Sequence, residues 1–330
     1  KEIGNYAFHE ANIRGHLDVP FCFNRIGDYA FNNCSGIETT NIKFDSSSSG
    51  SNSIGICSFQ GCKFSYLSLK SNGAMTSIGY RAFFEVPITN ELILPTSINT
   101  IGEQAFSCTS ISGLLITHDS QVVNFGVESF CNCTYLSGEI FIPYKTVNIR
   151  SGAFSGCTSI SKLTLILEGE LRLIGDKAFY GCSNLAGSLD IPFRVEIIGN
   201  SAFANCTKIG EHLTFKYDRE NTDKKYNCLI GDYAFYGCTK LKYLVQITDN
   251  DCYRIGSIGN NAFERTSLTG DLVIPNSIKI IGSYAFRGCT LGKLTINNKN
   301  SVLEIIGEGA FQNTAVSGNI VMPSSLRVID

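Results

Sequence analysis

Side chains able to do chemistry are sparse. The chain has four histidines, His9, His16, His118 and His212, and 14 cysteines. A zinc site draws four Cys, His or carboxylate ligands together at characteristic spacings, and no histidine stands at metal spacing from another. Cys131-x-Cys133 lacks a second pair, and Cys57 and Cys62, with four residues between them, lack histidine partners. Asp249 and Asp251 offer too few carboxylates for calcium. The sequence contains no His-Glu-x-x-His, no Gly-x-Ser-x-Gly and no phosphate-cradling glycine loop. The expectation is a chain with no catalytic residues, no metal and no cofactor, acting by presenting a surface.

The elements that would build that surface follow from one phrase, I-G-x-x-A-F, which recurs thirteen times between Ile3 and Phe311. Its closing phenylalanine is present in every copy, from Phe8 and Phe31 through Phe179 and Phe203 to Phe286 and Phe311. The spacing of these phenylalanines is mostly 23 to 25 residues, with three longer intervals of 28, 32 and 28. The full unit reads I-G-x-x-A-F-x-x-C-x-x-L-x-G-x-L-x-I-P-x-S-I, as from Ile258 to Ile278. The alternating L-x-I predicts a short strand with Leu272 and Ile274 pointing inward. Proline cannot donate to a ladder, and Pro20, Pro95, Pro143, Pro192, Pro275 and Pro323 all stand where that strand should end. The glycine of I-G occurs in twelve of the thirteen copies, Arg150 being the exception, which implies a tight turn or a close backbone approach. The Ala-Phe step is expected to open a short helical or 3-10 segment on the side opposite the strands. One unit cannot cover its own apolar face, so the units must stack.

These residues, I-G-x-x-A-F-x-x-C-x-x-L followed by L-x-I-P as at Ile174 to Pro192, resemble the leucine-rich-repeat family, in particular its BspA-like subclass of surface proteins from oral bacteria, treponemes and trichomonads. The likeness runs the length of the chain, and proline stands where the ordinary leucine-rich repeat has asparagine, as in the subclass. It implies an α/β-type repeat solenoid, with short parallel strands on one face and short helical or 3-10 segments opposite. It also implies adhesion to host-cell, matrix or microbial proteins, or to another copy of the chain, from the cell surface or after secretion. The alternative is a cytoplasmic protein-interaction scaffold.

The chain's 330 residues, 43% hydrophobic, amply supply a core. The repeat organises residues 1–330 as a single domain of about thirteen units, read as a fragment of a longer protein because the chain opens inside one repeat and stops at the start of another. A formal charge of −2, from 27 basic and 29 acidic residues, gives no reason to expect a nucleic-acid or anionic-membrane partner. No apolar run approaches the 18 or so residues of a membrane-spanning helix. Eight cysteines, among them Cys157, Cys182 and Cys206, fall three residues after the phenylalanine, where Val86, Thr266 and Thr314 stand in other repeats. That interchange predicts a ladder of small buried side chains. Equivalent positions roughly 4.8 Å apart are too far apart for the Cβ spacing of a disulfide. Pairing among Cys22, Cys57, Cys131, Cys228 and Cys252 stays open.

Two features could meet a partner. The residue between the inward Leu and Ile of each strand should face out. In three consecutive repeats that column is read as Ile93, Ile116 and Phe141, an apolar stripe rimmed by Glu91 and Glu139. Strand propensity alone can also place β-branched residues there. The second feature is the set of insertions in the long repeats: Ser46 to Gly50, the charged run with Asp218, Arg219, Lys224 and Lys225, and Asp249 to Asp251. Insertions at one repeat position emerge on one edge, often the binding edge, although plain solvated loops would look the same.

Overall fold

The computed structural model describes residues 1–20, 22–44, 52–71, 75–216, 227–245, 255–298 and 300–330. The described chain divides into two compact units, Lys1–Thr164 and Leu165–Asp330. Each is a parallel β-solenoid whose turns are built from the repeat.

In the first unit, each turn gives a very short strand ending on the isoleucine of I-G. Glu2–Ile3, Arg25–Ile26, Asn52–Ile54, Met75–Ile78, Thr100–Ile101, Asn124–Phe125 and Asn148–Ile149 lie side by side in chain order. Register is set by the repeat itself: Ile3 pairs with Ile26, Ile54 with Ile78, Ile101 with Phe125. A second set of strands forms on L-x-I, including Leu92–Ile93, Leu114–Leu115 and Gly138–Ile142. The second unit repeats this plan. Leu173–Ile174, Ile197–Ile198, Cys228–Ile230, Ile255–Ile258, Ile280–Ile281, Ile305–Ile306 and Val328–Ile329 form one sheet. Gly187–Ile191, Ile209–Phe215 and Lys240–Val245 form another, and Thr269–Ile274 pairs with Thr290–Ile296. The strands Gly138–Ile142, Gly187–Ile191 and Thr269–Ile274 each stop at the residue before the expected proline. The proline carbonyl then accepts the N–H three residues on, as Pro143 does from Thr146 at 3.1 Å and Pro275 from Ile278 at 3.3 Å.

The expected α/β class with helical or 3-10 segments is incorrect: among the described residues there is no helix, and A-F-x-x-C is a run of turns. The reason lies in two backbone positions. The third residue after the isoleucine and the seventh both have positive φ in every copy, as at Tyr6 (57°) and Glu10 (56°), Lys177 (55°) and Gly181 (70°), Ser201 (56°) and Asn205 (61°). One left-handed residue every four forbids a right-handed helix. The N–H groups a helix would have satisfied are shared out instead. Ala7 donates to Gly4 and His9 to Tyr6 within the turn, whereas Tyr6 donates to Asp28 (2.9 Å), Phe8 to Ala30 (2.7 Å) and Glu10 to Asn32 (2.8 Å) in the next turn. Alternate donors thus close the turn and join it to its neighbour.

The glycine of I-G marks a close approach. A Cβ on Gly259 would sit 2.5 Å from the Gly231 carbonyl carbon, and one on Gly102 2.6 Å from that of Gly79. Beside this ladder, Asx side chains extend the pairing around the corner: Asn200 N–H donates to Asp176 Oδ1 (2.7 Å), Asp232 N–H to Asn200 Oδ1 (2.8 Å) and Asn260 N–H to Asp232 Oδ1 (2.7 Å).

The phenylalanines form the core of each unit. Phe31, Phe59, Phe83, Phe106 and Phe130 are fully buried, and successive rings stack nearly parallel with centroids 5.1 to 5.3 Å apart. In the second unit Phe203 stacks on Phe179 at 5.2 Å and on Phe235 at 5.4 Å. The cysteines three residues on are buried as expected, and they do more than fill space. Cys62 Sγ donates to the Phe31 carbonyl (3.1 Å), Cys206 to Phe179 (3.0 Å) and Cys238 to Phe203 (3.1 Å). Thr109 and Thr266 in the same slot donate to the phenylalanine of their own turn. Cys34, Cys62, Cys133, Cys206, Cys238 and Cys289 are free thiols, as are Cys22, Cys57 and Cys131. Cys252 lies outside the described residues.

A candidate partner-binding surface

The outward column of the L-x-I strands is real, but its phase shifts by one residue in one repeat. Leu114 pairs with Leu92 and Leu115 with Ile93. Ile93 is 54% exposed and Leu115 43%, whereas Ile116 is 5% exposed and packs inward. Leu115, not Ile116, therefore continues the stripe. Leu114-Leu115-Ile116 is apolar throughout and is followed by Thr117 in place of proline, so alternation could not fix the phase. Ladder pairing with Leu92 does, because a slip of one residue would turn Leu114 and Ile116 out of the core. Elsewhere the column holds: Asp190 pairs with Thr214, and Val273 with Thr295. Asn41, which sequence reading missed, belongs to it between Asp18 and Ser68 and donates to Asp18 Oδ1 at 2.8 Å.

Phe141 is half-buried at the centre of a shallow groove of about 430 Å³, lined by Leu114, Leu115, Ile116, Thr117, His118, Glu139, Phe141 and Thr164. Its floor is apolar. The His118 ring lies 4.3 Å from that of Phe141, centroid to centroid. Glu139 lies at the rim, where it accepts from Thr164 Oγ1 and meets Lys162 Nζ at 3.0 Å. Those two donors, Thr164 first, hold its carboxyl below the usual carboxylate range. Glu91 is exposed and leans over Gly113, where a Cβ would lie 3.3 Å from its side chain. The structure thus brings Leu115, Phe141 and Glu139 together around one groove, joined by His118 and Thr164. His118 could have been suspected from its place just beyond the strand. Asp218, Arg219, Lys224 and Lys225 lie outside the described residues, as do the insertions at 46–50 and 249–251.

Among the described residues no three His, Cys, Asp or Glu side chains are grouped to hold a metal ion, and no helix is long and apolar enough to cross a membrane. The groove offers an apolar floor with a carboxylate and an imidazole at its edge, a composition suited to seating an apolar side chain beside a polar or basic group.

No curated protein matches the chain. Among solved structures, it is similar to a leucine-rich repeat protein from Bacteroides ovatus, with 26% identity, a TM-score of 0.68, and coverage of 99% of this chain and 77% of that one. It shares its fold with the pneumococcal vaccine antigen PcpA, at 18% identity and a TM-score of 0.55, over 98% of this chain and 85% of that one. The family described as BspA type leucine rich repeat region, in 6 copies, matches residues 1–137, 114–241 and 224–330. With thirteen copies of I-G-x-x-A-F, the turns of each unit stacked in register, and the family match running from end to end, the chain belongs to the BspA-type leucine-rich-repeat family.

Proposed function

We propose that the chain is a non-catalytic protein-binding module of a surface-exposed or secreted protein, and that it engages its partner through the groove over Leu115 and Phe141. One observation carries this reading. Leu115, exposed, and Phe141, half-buried, line one groove with a polar rim, the arrangement in which a few central aromatic and aliphatic residues dominate association. Family membership supports the protein-binding role and the surface location. The partner is a host-surface, matrix or microbial protein.

The test compares the parent chain with Phe141→Ser and Leu115→Ser in retention of biotin-labelled host-cell surface proteins. Each apolar side chain buried by a partner contributes about 1.5–3 kcal/mol, so each substitution should weaken retention by about ten-fold or more. A third variant lacking residues 218–225 tests the charged insertion. Loss of binding there alone, with a steep dependence on ionic strength, moves the site to that insertion. Unchanged retention in folded Phe141→Ser and Leu115→Ser refutes the groove.

A further inference from the structure

The residue just before the inward isoleucine of I-G faces outward from the long sheet of each unit. In the first unit this column is polar at every turn, from Glu2 and Arg25 through Ser77 and Thr100 to Asn148. In the second unit the same column, in the same register, reads Leu173, Ile197, Leu229, Ser257, Ile280, Ile305 and Val328. Ile197 is 43% exposed, Leu229 45% and Ile280 36%. Strand pairing does not demand this, because the first unit builds the identical ladder from serine, threonine and asparagine. Strand propensity therefore does not account for the stripe. At about 4.8 Å per strand, the column spans about 29 Å.

The charges beside the stripe say what covers it. One residue earlier in the chain, the flanking column runs Arg172, Glu196, Cys228, Gly256, Lys279, Glu304 and Arg327. Arg172 is paired with Glu196, and Lys279 Nζ lies 3.6 Å from Glu304. Over the first six turns the order is plus, minus, two uncharged, plus, minus; Arg327 and Val328, on the terminal turn, lie beyond the six that the axis below pairs. A two-fold axis parallel to the strands and passing between Leu229 and Ser257 keeps strand direction and reverses the stacking order. It sets Arg172 opposite Glu304 and Glu196 opposite Lys279 of the second copy. The same operation lays Leu173 on Ile305, Ile197 on Ile280 and Leu229 on Ser257. The uncharged positions meet at the axis. An isologous interface needs this kind of self-complementarity, and opposed charges fix its register.

We propose that the long sheet of the second unit is a homodimer interface, closed by a second copy of this chain across that two-fold axis. It is separate from the groove on the first unit, so the two readings fail independently. Sedimentation velocity of the whole chain, up to about 100 μM to reach weak association, should show a monomer–dimer equilibrium. Leu229→Asp and Ile280→Asp alter exposed side chains and should leave thermal unfolding unchanged at concentrations where the parent is monomeric. Each is buried twice across the axis, so each should raise the dimer dissociation constant by about 100-fold. Glu196→Lys or Lys279→Glu alone should weaken the dimer, and the double exchange should recover part of the loss by restoring opposed charges across the axis. A parent chain monomeric throughout, association that grows past the dimer or persists in Leu229→Asp, or a double exchange no better than the worse single variant overturns the proposal.

Discussion

Removing the ring of Phe203 tests whether the phenylalanine stack holds the fold together. Phe203 is fully buried and sandwiched between Phe179 at 5.2 Å and Phe235 at 5.4 Å, within 6° of parallel to each. Its backbone bonds, N–H to Ala234 at 2.8 Å and carbonyl from the Cys238 thiol at 3.1 Å, do not involve the ring. The cost of Phe203→Ala is therefore that of a buried aromatic truncation, about 3–5 kcal/mol. Phe203→Leu keeps most of the apolar volume but loses two ring pairs worth about 0.5–1.5 kcal/mol each, so it should cost about 1–3 kcal/mol. Against a total stability of the order of 5–15 kcal/mol, the alanine variant is severe and the leucine variant is not. Urea unfolding followed by circular dichroism gives the ranking. Hydrogen exchange read by mass spectrometry gives the location, because in a stacked array damage spreads from the altered turn to its neighbours. Protection should fall first around Phe179 and Phe235 and persist around Phe59 and Phe83. An alanine variant within about 0.5 kcal/mol of the parent, a range typical of surface substitutions, would refute the stack as the core. Protection lost equally throughout both units would refute its local character.

Burial pushes the thiols of Cys62 and Cys238 up to about 12 and that of Cys289 to about 11. Folded-state values raised above the ordinary 9.0 mean that their stabilisation is fully present below about pH 9 and is lost as pH rises toward 12, where the unfolded chain ionises first. Urea midpoints measured under reducing conditions should fall as pH rises through this window, and fall less in Cys62→Val with Cys238→Val; equal slopes would contradict the buried-thiol ladder. In the native chain, alkylation should reach exposed Cys22 and Cys108 before the ladder cysteines. Gly259→Ala places a Cβ 2.5–2.6 Å from Gly231 and Asp232 backbone atoms and should cost about 1–3 kcal/mol or more by overpacking, whereas Gly138→Ala, with open space at φ +81°, should cost about 1 kcal/mol; similar midpoints would remove the close approach. Ile116→Ser should lower stability by about 2 kcal/mol or more, as a buried apolar loss, while Leu115→Ser should leave it nearly unchanged. The reverse result would restore the sequence-based phase of the stripe.

Much of the molecule was legible in the residues alone. The thirteenfold phrase set the turns, Pro20, Pro143, Pro192 and Pro275 marked strand ends, and the buried phenylalanines and cysteines followed from their period. These features are local or are repeated thirteen times, so the pattern averages out accidents at any one copy. The helical segments were misread because A-F-x-x-C places apolar residues at a spacing that a turn run shares with a helix. A trace of the true conformation was present: neither left-handed column, at Tyr6 and its equivalents or at Glu10 and its equivalents, contains Val, Ile or Thr. Those residues resist positive φ. Only stacking shows why the chain tolerates two such positions per turn, since the N–H groups they free bond to the adjacent turn. The groove depended on tertiary structure in the same way. Leu114-Leu115-Ile116 carries no phase of its own, and pairing with Leu92 and Ile93 decided which side chain meets solvent. The sequence by itself determined the repeat, its core and its family; inter-turn hydrogen bonding decided backbone conformation and the facing of ambiguous apolar runs, because those bonds join residues some 21 positions or more apart.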